Sequence, residues 1–328
     1  MPGLARRQFI GGLDIGTTKI IAVVAEISPS GYPVVKGLGE CAAIGIRKGS
    51  VTDGTSLTKV IDQALKEAQD MAGEKVASVY VASHVVKQLT DQTNIVDEKL
   101  IESIKEVGLK IQETLPAIVA SAQAVLTDTQ KNIGTVLVDI GGTITEIAVF
   151  DQGLPKYTAT LNVGCDHISS DLAVCLRTSI REGERIKKLL GLEKTEPQLQ
   201  LEVSSVGGHE KRKVPASAAL DIIHSRVQEI FELIQKELND QFRLEALAGG
   251  LVLTGGGALL RNVVKHANSQ LNLAKVEIGI PAKLSVPKEQ WQSPIYASSL
   301  GLVMYGALKS FRCSDRLSGW RGVINRFI

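Results

Sequence analysis

Cysteine is scarce in this chain of 328 residues, and the four present, Cys41, Cys165, Cys175 and Cys313, make no Cys-x-x-Cys pair. Together with five dispersed histidines they offer no metal-ligand spacing. That pattern excludes a disulfide framework and fits reduced, buried thiols in a cytoplasmic protein. Long apolar runs are missing too. No stretch could cross a bilayer, and the N-terminus, MPGLARRQFIGGLDIG, lacks the apolar core of a signal peptide. Nor is there an excess of one sign of charge. Lys and Arg total 37 against 35 Asp and Glu, a net charge of +2, so no nucleic-acid partner is expected. What remains is an ordinary globular composition, 44% hydrophobic and 22% charged, at a length that suits two comparable domains.

Hydrophobic periodicity supplies the elements. Residues 8–27 read as two strands around DIGTT, and Gly31-Tyr32-Pro33 turns into a third strand near 34–44. Leu57, Val60, Ile61, Ala64, Leu65 and Ala68 recur at helical spacing and predict an amphipathic helix from Asp53 to Gly73. A strand at KVASVYVA, a helix over 96–107, a short strand at Leu109 and an apolar helix over 115–126 lead to a second hairpin at 135–150. The second half repeats the plan. A strand near 156–162 precedes two helices, the second being IREGERIKKLLG, then a small β ribbon over 199–213 and a long helix over 215–238. GGLVLTGGGALL reads as a buried strand, a glycine loop and a helix start, and 293–309 as a final core helix. Strands alternating with helices in this order predict an α/β protein built from two similar halves.

The repeat is most explicit in two short stretches, LDIGTTKI at 13–20 and VDIGGTIT at 138–145. Glycine directly after a strand lets the backbone approach an anion and present N–H groups to it. Thr17, Thr18 and Thr143 add hydroxyl donors, and Lys19 adds positive charge. Asp14 and Asp139 would be awkward beside phosphate unless a divalent cation or an activated water lay between. One Gly-Thr turn is ordinary loop chemistry. Two facing each other could clamp a polyphosphate. A third glycine loop, TGGGA at 254–258, would open a helix whose amides and dipole suit phosphate or ribose, although a tight strand-to-helix turn would use the same residues.

These stretches resemble the phosphate and adenosine loops of the actin, hexokinase and Hsp70 superfamily. Within it, GIRKGSVTD at 45–53, RTSIREGERIKKLLG and GGLVLTGGGALLRNV resemble FtsA, the actin-like family of bacterial cell division. The resemblance covers nearly the whole chain. It implies an actin-like, ribonuclease H-like α/β fold with duplicated domains around a nucleotide cleft. The expected division is 1–150 for the first domain, 151–310 for the second, and 311–328 for a short linker and an amphipathic helix. Within the second domain, subdomain 2A would take 151–175 and 247–310, and subdomain 2B would take 176–246. The family's extra subdomain 1C would shrink to a connector at 83–95.

The implied ligands are ATP and Mg2+. Asp14 and Asp139 would orient the ion through its waters, as the catalytic pair of at most a weak ATPase. Gly16, Thr17, Thr18, Lys19, Gly141, Gly142 and Thr143 would hold phosphate, and Gly255, Gly256 and Gly257 would lie under adenosine. Glu184 and Lys187 match the pair that contacts ribose and base, while i,i+3 pairing on a solvated helix accounts for the same spacing.

The tail is informative by itself. At about 100° per residue, Leu317, Trp320, Ile324, Phe327 and Ile328 share one arc of SDRLSGWRGVINRFI, flanked by Arg321. Large apolar groups with arginines suit an anionic membrane surface, and they equally suit a helix folded back on the protein's own core. Resemblance to FtsA favours the membrane. It also implies filaments of the chain with itself, and a second-domain lobe that binds the C-terminal peptide of the tubulin-like protein FtsZ. Arg226 would be one contact; the nearby EKRK cluster also reads as a solvated hairpin tip. The expected function is therefore tethering of FtsZ filaments to the cytoplasmic face of the cell membrane at the division septum. The alternatives are a sugar-type kinase of the same superfamily and another actin-like scaffold, such as a pilus-assembly protein.

Overall fold

The computed structural model describes residues 7–47, 50–84, 97–207, 210–242, 247–271 and 275–316. The first half runs β1 (Phe9–Ile15), β2 (Lys19–Ile27), β3 (Pro33–Ala42), β4 (Ile46–Arg47), β5 (Ser50–Val51), α1 (Gly54–Ala72), β6 (Ser78–Ser83), α2 (Glu98–Glu106), β7 (Lys110–Pro116), α3 (Ala117–Val125) and α4 (Asp128–Ile133). The second runs β8 (Thr135–Ile140), β9 (Thr145–Asp151), β10 (Leu154–Leu161), α5 (Cys165–Cys175), α6 (Ile180–Leu190), β11 (Gln200–Ser204), β12 (Lys211–Pro215), α7 (Ala216–Asn239), β13 (Leu251–Thr254), α8 (Val263–Gln270), β14 (Val276–Ile278) and α9 (Ala297–Arg316).

Local chemistry sets these boundaries. Asp53 caps α1 by accepting from the Ser56 amide, and Gly73, at φ 67°, ends it in the left-handed conformation. The predicted apolar stripe is the buried face of α1. Thr127 and Gln130 form a reciprocal capping box that starts α4, a short helix the hydrophobic pattern did not reveal. The predicted ribbon is β11 paired with β12.

The duplication is visible in the sheets. One five-stranded sheet has the order β3-β2-β1-β6-β7 and the other β10-β9-β8-β13-β14. In each, an antiparallel three-strand meander continues into two parallel strands. The second sheet begins at Thr135 and includes the whole 135–151 hairpin. The chain also returns at its end, since α9 packs on β1 and β2 and against α3. Helix α3 is shared by the lobes. Ala117 and Ala120 pack with Ala82, Leu115 and Leu302, while Ile118, Ala122 and Leu126 pack with Leu137, Phe150 and Val252. Gly301 makes this crossing possible, because a Cβ there would lie 1.9 Å from the Ala120 carbonyl oxygen.

Candidate functional site

The two hairpins are built alike. The Gly16 amide donates to the Lys19 carbonyl at 2.9 Å, and the Gly141 amide donates to the Ile144 carbonyl at 2.9 Å. Residues 14–21 therefore correspond one for one with 139–146, and the register sets Asp14 across from Ile21 and Asp139 across from Glu146. Their tips meet. The Thr17 and Thr143 hydroxyls lie 2.6 Å apart. A Cβ on Gly142 would come within 2.6 Å of Thr18 Cγ2 and 2.7 Å of Asp166 Oδ2, so a side chain there would have to displace both.

Behind the tips lies a cavity of about 470 Å³. Asp14, Gly16, Thr17, Thr18 and Lys19 line it from the first lobe, and Asp139, Gly141 and Gly142 from the second. Glu184 and Lys187 reach it from α6, and Gly255 and Gly256 from the loop after β13. The structure thus gathers nearly every residue the sequence singled out for phosphate, base and metal. Lys19 is tied to Glu40 at 2.5 Å.

The third glycine loop departs from expectation. Instead of an α-helix, a 3-10 turn, Gly256–Leu259, follows β13, and α8 starts later, after Asn262 at φ 64°. The loop is bent hard over Asp139. Gly255 has φ 79°, and a Cβ there would lie 2.1 Å from Asp139 Oδ1. The three glycines also differ in role. A Cβ on Gly256 meets nothing within 4 Å, so this position faces open space, whereas one on Gly257 would strike Ile140 and Cys165. Gly257 is buried against the strand end, with its Cβ direction toward Ile140 and Cys165.

On the α6 side, the Lys187 ammonium is buried and donates to the Cys165 carbonyl at 3.0 Å and to Glu184 at 2.5 Å. Glu184 also accepts from the Ser169 hydroxyl at 2.6 Å. Burial opposes the charge of Glu184, but the donors Lys187 and Ser169 prevail and hold its carboxyl at about 2. The pair is a built network rather than a solvated helix face.

The deepest part of the cleft holds a carboxylate cluster. His84, just after β6, places Nε2 2.7 Å from Asp14 Oδ1 and Nδ1 2.8 Å from Glu146 Oε2. Burial alone would lower the ring's pKa; Glu146 and Asp14 outweigh it and hold His84 well above the usual histidine value. Asp139 accepts from Ser121 at 3.2 Å. Burial, reinforced by Glu146, pushes its carboxyl up to about 7. Glu146 Oε1 is buried with no hydrogen-bond partner.

Among the described residues no three His, Cys, Asp or Glu side chains close into a direct metal-ligand set. A hard cation that keeps most of its waters fits this arrangement, with the carboxylates holding those waters and the orphaned oxygen accepting from one. His84 and Glu146 were not picked out from the sequence. Glu146 directly follows the stretch VDIGGTIT, and His84 is the second residue of the 83–95 segment read as a connector, of which residues 85–95 lie outside the described residues.

The remaining expected contacts lie elsewhere. Arg226 is on α7, where Nε and Nη2 donate to Asp171 at 2.6 and 3.1 Å and Nη1 to Glu229 at 2.5 Å. Leu317, Trp320, Arg321, Ile324 and Phe327 lie outside the described residues.

Duplicated sheets of matching order around a cleft with paired Asp-Gly hairpins define an actin-like protein. The solved structure of MreB5 of Spiroplasma citri bound to ADP matches with a TM-score of 0.71 at 18% identity, covering 94% of this chain and 99% of that one. The type IV pilus biogenesis complex PilM-PilN matches with a TM-score of 0.69 at 16% identity, covering 91% and 98%. Sequence comparison narrows the class. The family model described as "Cell division protein FtsA" matches residues 136–301. Cell division protein FtsA of Pseudomonas aeruginosa is 27% identical over 397 residues, covering 97% of this chain and 93% of that protein. The Bacillus subtilis protein of the same description is 26% identical, covering 94% and 86%. This chain belongs to the FtsA family of cell-division proteins. The alignment with the P. aeruginosa protein is longer than the 328 residues here, so that relative carries residues this chain lacks.

Proposed function

We propose that this actin-like cell-division protein binds ATP with a magnesium ion in its cleft, assembles into filaments with itself, and tethers FtsZ filaments to the cytoplasmic face of the cell membrane at the septum. The observation that carries the nucleotide reading is the pair of Asp-Gly hairpins closing on one cavity whose far wall is the open face of Gly256. Backbone amides and hydroxyls of Gly16, Thr17, Thr18, Gly141 and Gly142 take phosphate, with Thr143 bracing Thr17. Gly255 and Gly256 pass beneath adenosine, and Glu184 and Lys187 hold ribose and base. The cation supplies positive charge between phosphate and the carboxylates of Asp14 and Asp139, which orient its waters.

FtsZ tethering and membrane attachment rest on family membership and on residues 317–328. No described helix is long and apolar enough to cross a membrane. A single short amphipathic helix attaches weakly, so stable binding would come from many copies in a filament. Arg226, drawn into ion pairs with Asp171 and Glu229, would exchange one of them for an acidic peptide group.

Flotation with anionic vesicles and ATP tests the reading. Wild-type protein floats; Trp320→Glu, which places a charge where a large apolar group would be buried, stays in the soluble fraction with unchanged thermal stability. Flotation of a chain truncated after residue 316 would defeat the anchor assignment. A coupled assay showing phosphate transfer to hexoses would favour the kinase alternative.

A further inference from the structure

The clasp formed by His84 goes beyond that function. The imidazole is carried by the first lobe, at the end of the strand beside β1, where Ala82 pairs with Asp14. Its second contact, Glu146, belongs to β9 of the second lobe. One ring therefore joins the floors of both lobes, at 2.7 Å on one side and 2.8 Å on the other. Each ring nitrogen lies within hydrogen-bond distance of one carboxylate oxygen, so a single imidazole occupies one oxygen of each lobe.

The place it fills is unusual for the fold's own symmetry. Opposite Asp14 in the first hairpin stands Ile21; opposite Asp139 in the second stands Glu146. The extra carboxylate is 2% exposed and half satisfied, with Oε2 on His84 and Oε1 on nothing. Burying such a group is costly unless a donor or cation completes it.

We propose that His84 is a clasp between the lobes which competes with a hydrated divalent cation for the carboxylates of Asp14 and Glu146. The proposal takes the cation–nucleotide reading of the cleft as its setting. Cation entry frees the imidazole from at least one carboxylate; removal of the imidazole leaves both oxygens to the water shell of the ion. His84 is thus a positioning residue, and it makes cation binding and lobe closure two states of one contact. By linkage, each weakens the other by the same factor.

The test uses Mn2+ as the probe, at one fixed pH and without nucleotide, followed by the relaxation of water protons around the bound ion. His84→Ala is expected to bind Mn2+ about tenfold more tightly than wild type, within the ordinary range of coupling between competing ligands. Glu146→Gln is expected to bind it more weakly. Opposite signs from the two ends of one hydrogen bond separate competition from loss of structure, which would weaken binding in both variants. Unchanged or weaker Mn2+ binding in His84→Ala overturns the clasp. Thermal unfolding and His84→Asn, which keeps a polar side chain but cannot span both carboxylates, guard against a folding defect; His84→Asn should also tighten Mn2+ binding, and failure to do so counts against the clasp. A fluorescent ATP analogue on wild-type protein at saturating magnesium reports separately on the nucleotide reading. Its failure there would remove that reading while the Mn2+ result stands.

Discussion

The two hairpins share a backbone and differ in what they carry. The first, 14–21, has Thr17 at its tip, Lys19 on its return strand and Ile21 across from its aspartate. The second, 139–146, has Gly142, Ile144 and Glu146 at the same places. Thus the first sets an apolar residue across from its aspartate and carries a positive charge on its return strand. The second gives up side-chain bulk at the tip, where Thr18 and Asp166 press in, and adds a carboxylate at the floor. Duplication supplied one close Asp-Ile-Gly turn twice. Divergence gave one copy a donor role and the other a role around charge compensation.

The largest effect should come from the loop that neither hairpin duplicates. Gly256→Trp fills the open face of the cavity and should lower ATP-analogue affinity more than 100-fold, roughly 3 kcal/mol. Its thermal midpoint should stay near that of wild type, because nothing within 4 Å is displaced. Retained affinity would remove the adenosine assignment. Next comes a substitution that makes the first hairpin like the second. Ile21→Glu buries a carboxylate at a position 3% exposed, facing core groups such as Trp291, Leu300 and Val303. A loss on the order of 3 kcal/mol or more is expected in urea unfolding. A smaller loss would mean that the first floor tolerates the charge the second one manages.

Thr17→Val tests the junction of the tips. It removes the hydroxyl contact with Thr143, and the cost should be about 1 kcal/mol. The smallest effect concerns α6, which has no counterpart at the first hairpin. The Glu184 carboxyl is depressed from 4.5 to about 2, so its contribution is fully present above pH 4.5 and fades as pH falls toward 2. The urea midpoint of wild type should decline through that window more steeply than that of Glu184→Gln. Partial exposure of the side chain keeps the difference modest.

Much of this was legible in the sequence because period and punctuation agree. The buried stripe of α1, its Asp53 cap and its Gly73 stop can all be read from residue order. So can both hairpins, since Asp-Ile-Gly after an apolar run states a strand end and a close turn. The course after β13 was not legible. TGGGALL satisfies the pattern of a helix start, and only the approach of Gly255 to Asp139, a contact distant in sequence, selects the 3-10 turn. β14 has three residues, too few for a periodic signal. His84 was hidden for a different reason: its partners are 70 and 62 residues away, and no local pattern links them. Sequence repeats mark where a unit resembles another, while the edge of each sheet depends on which strands pair.

The return of α9 to the first lobe has a mechanical consequence. Near its end, the Tyr305 hydroxyl donates to Glu113 at 2.7 Å and Lys309 pairs with the same carboxylate at 3.0 Å, fastening the helix to β7. Leu284 and Trp291 fasten the preceding segment to the same lobe's core. Tension applied to the chain beyond Arg316 enters through β1, β6 and β7 and is resisted there. The second lobe, joined through α3 and the segment that leads back to α9, stays outside that line of force. Were the tail anchored as proposed, the molecule would be pulled without prying its cleft open.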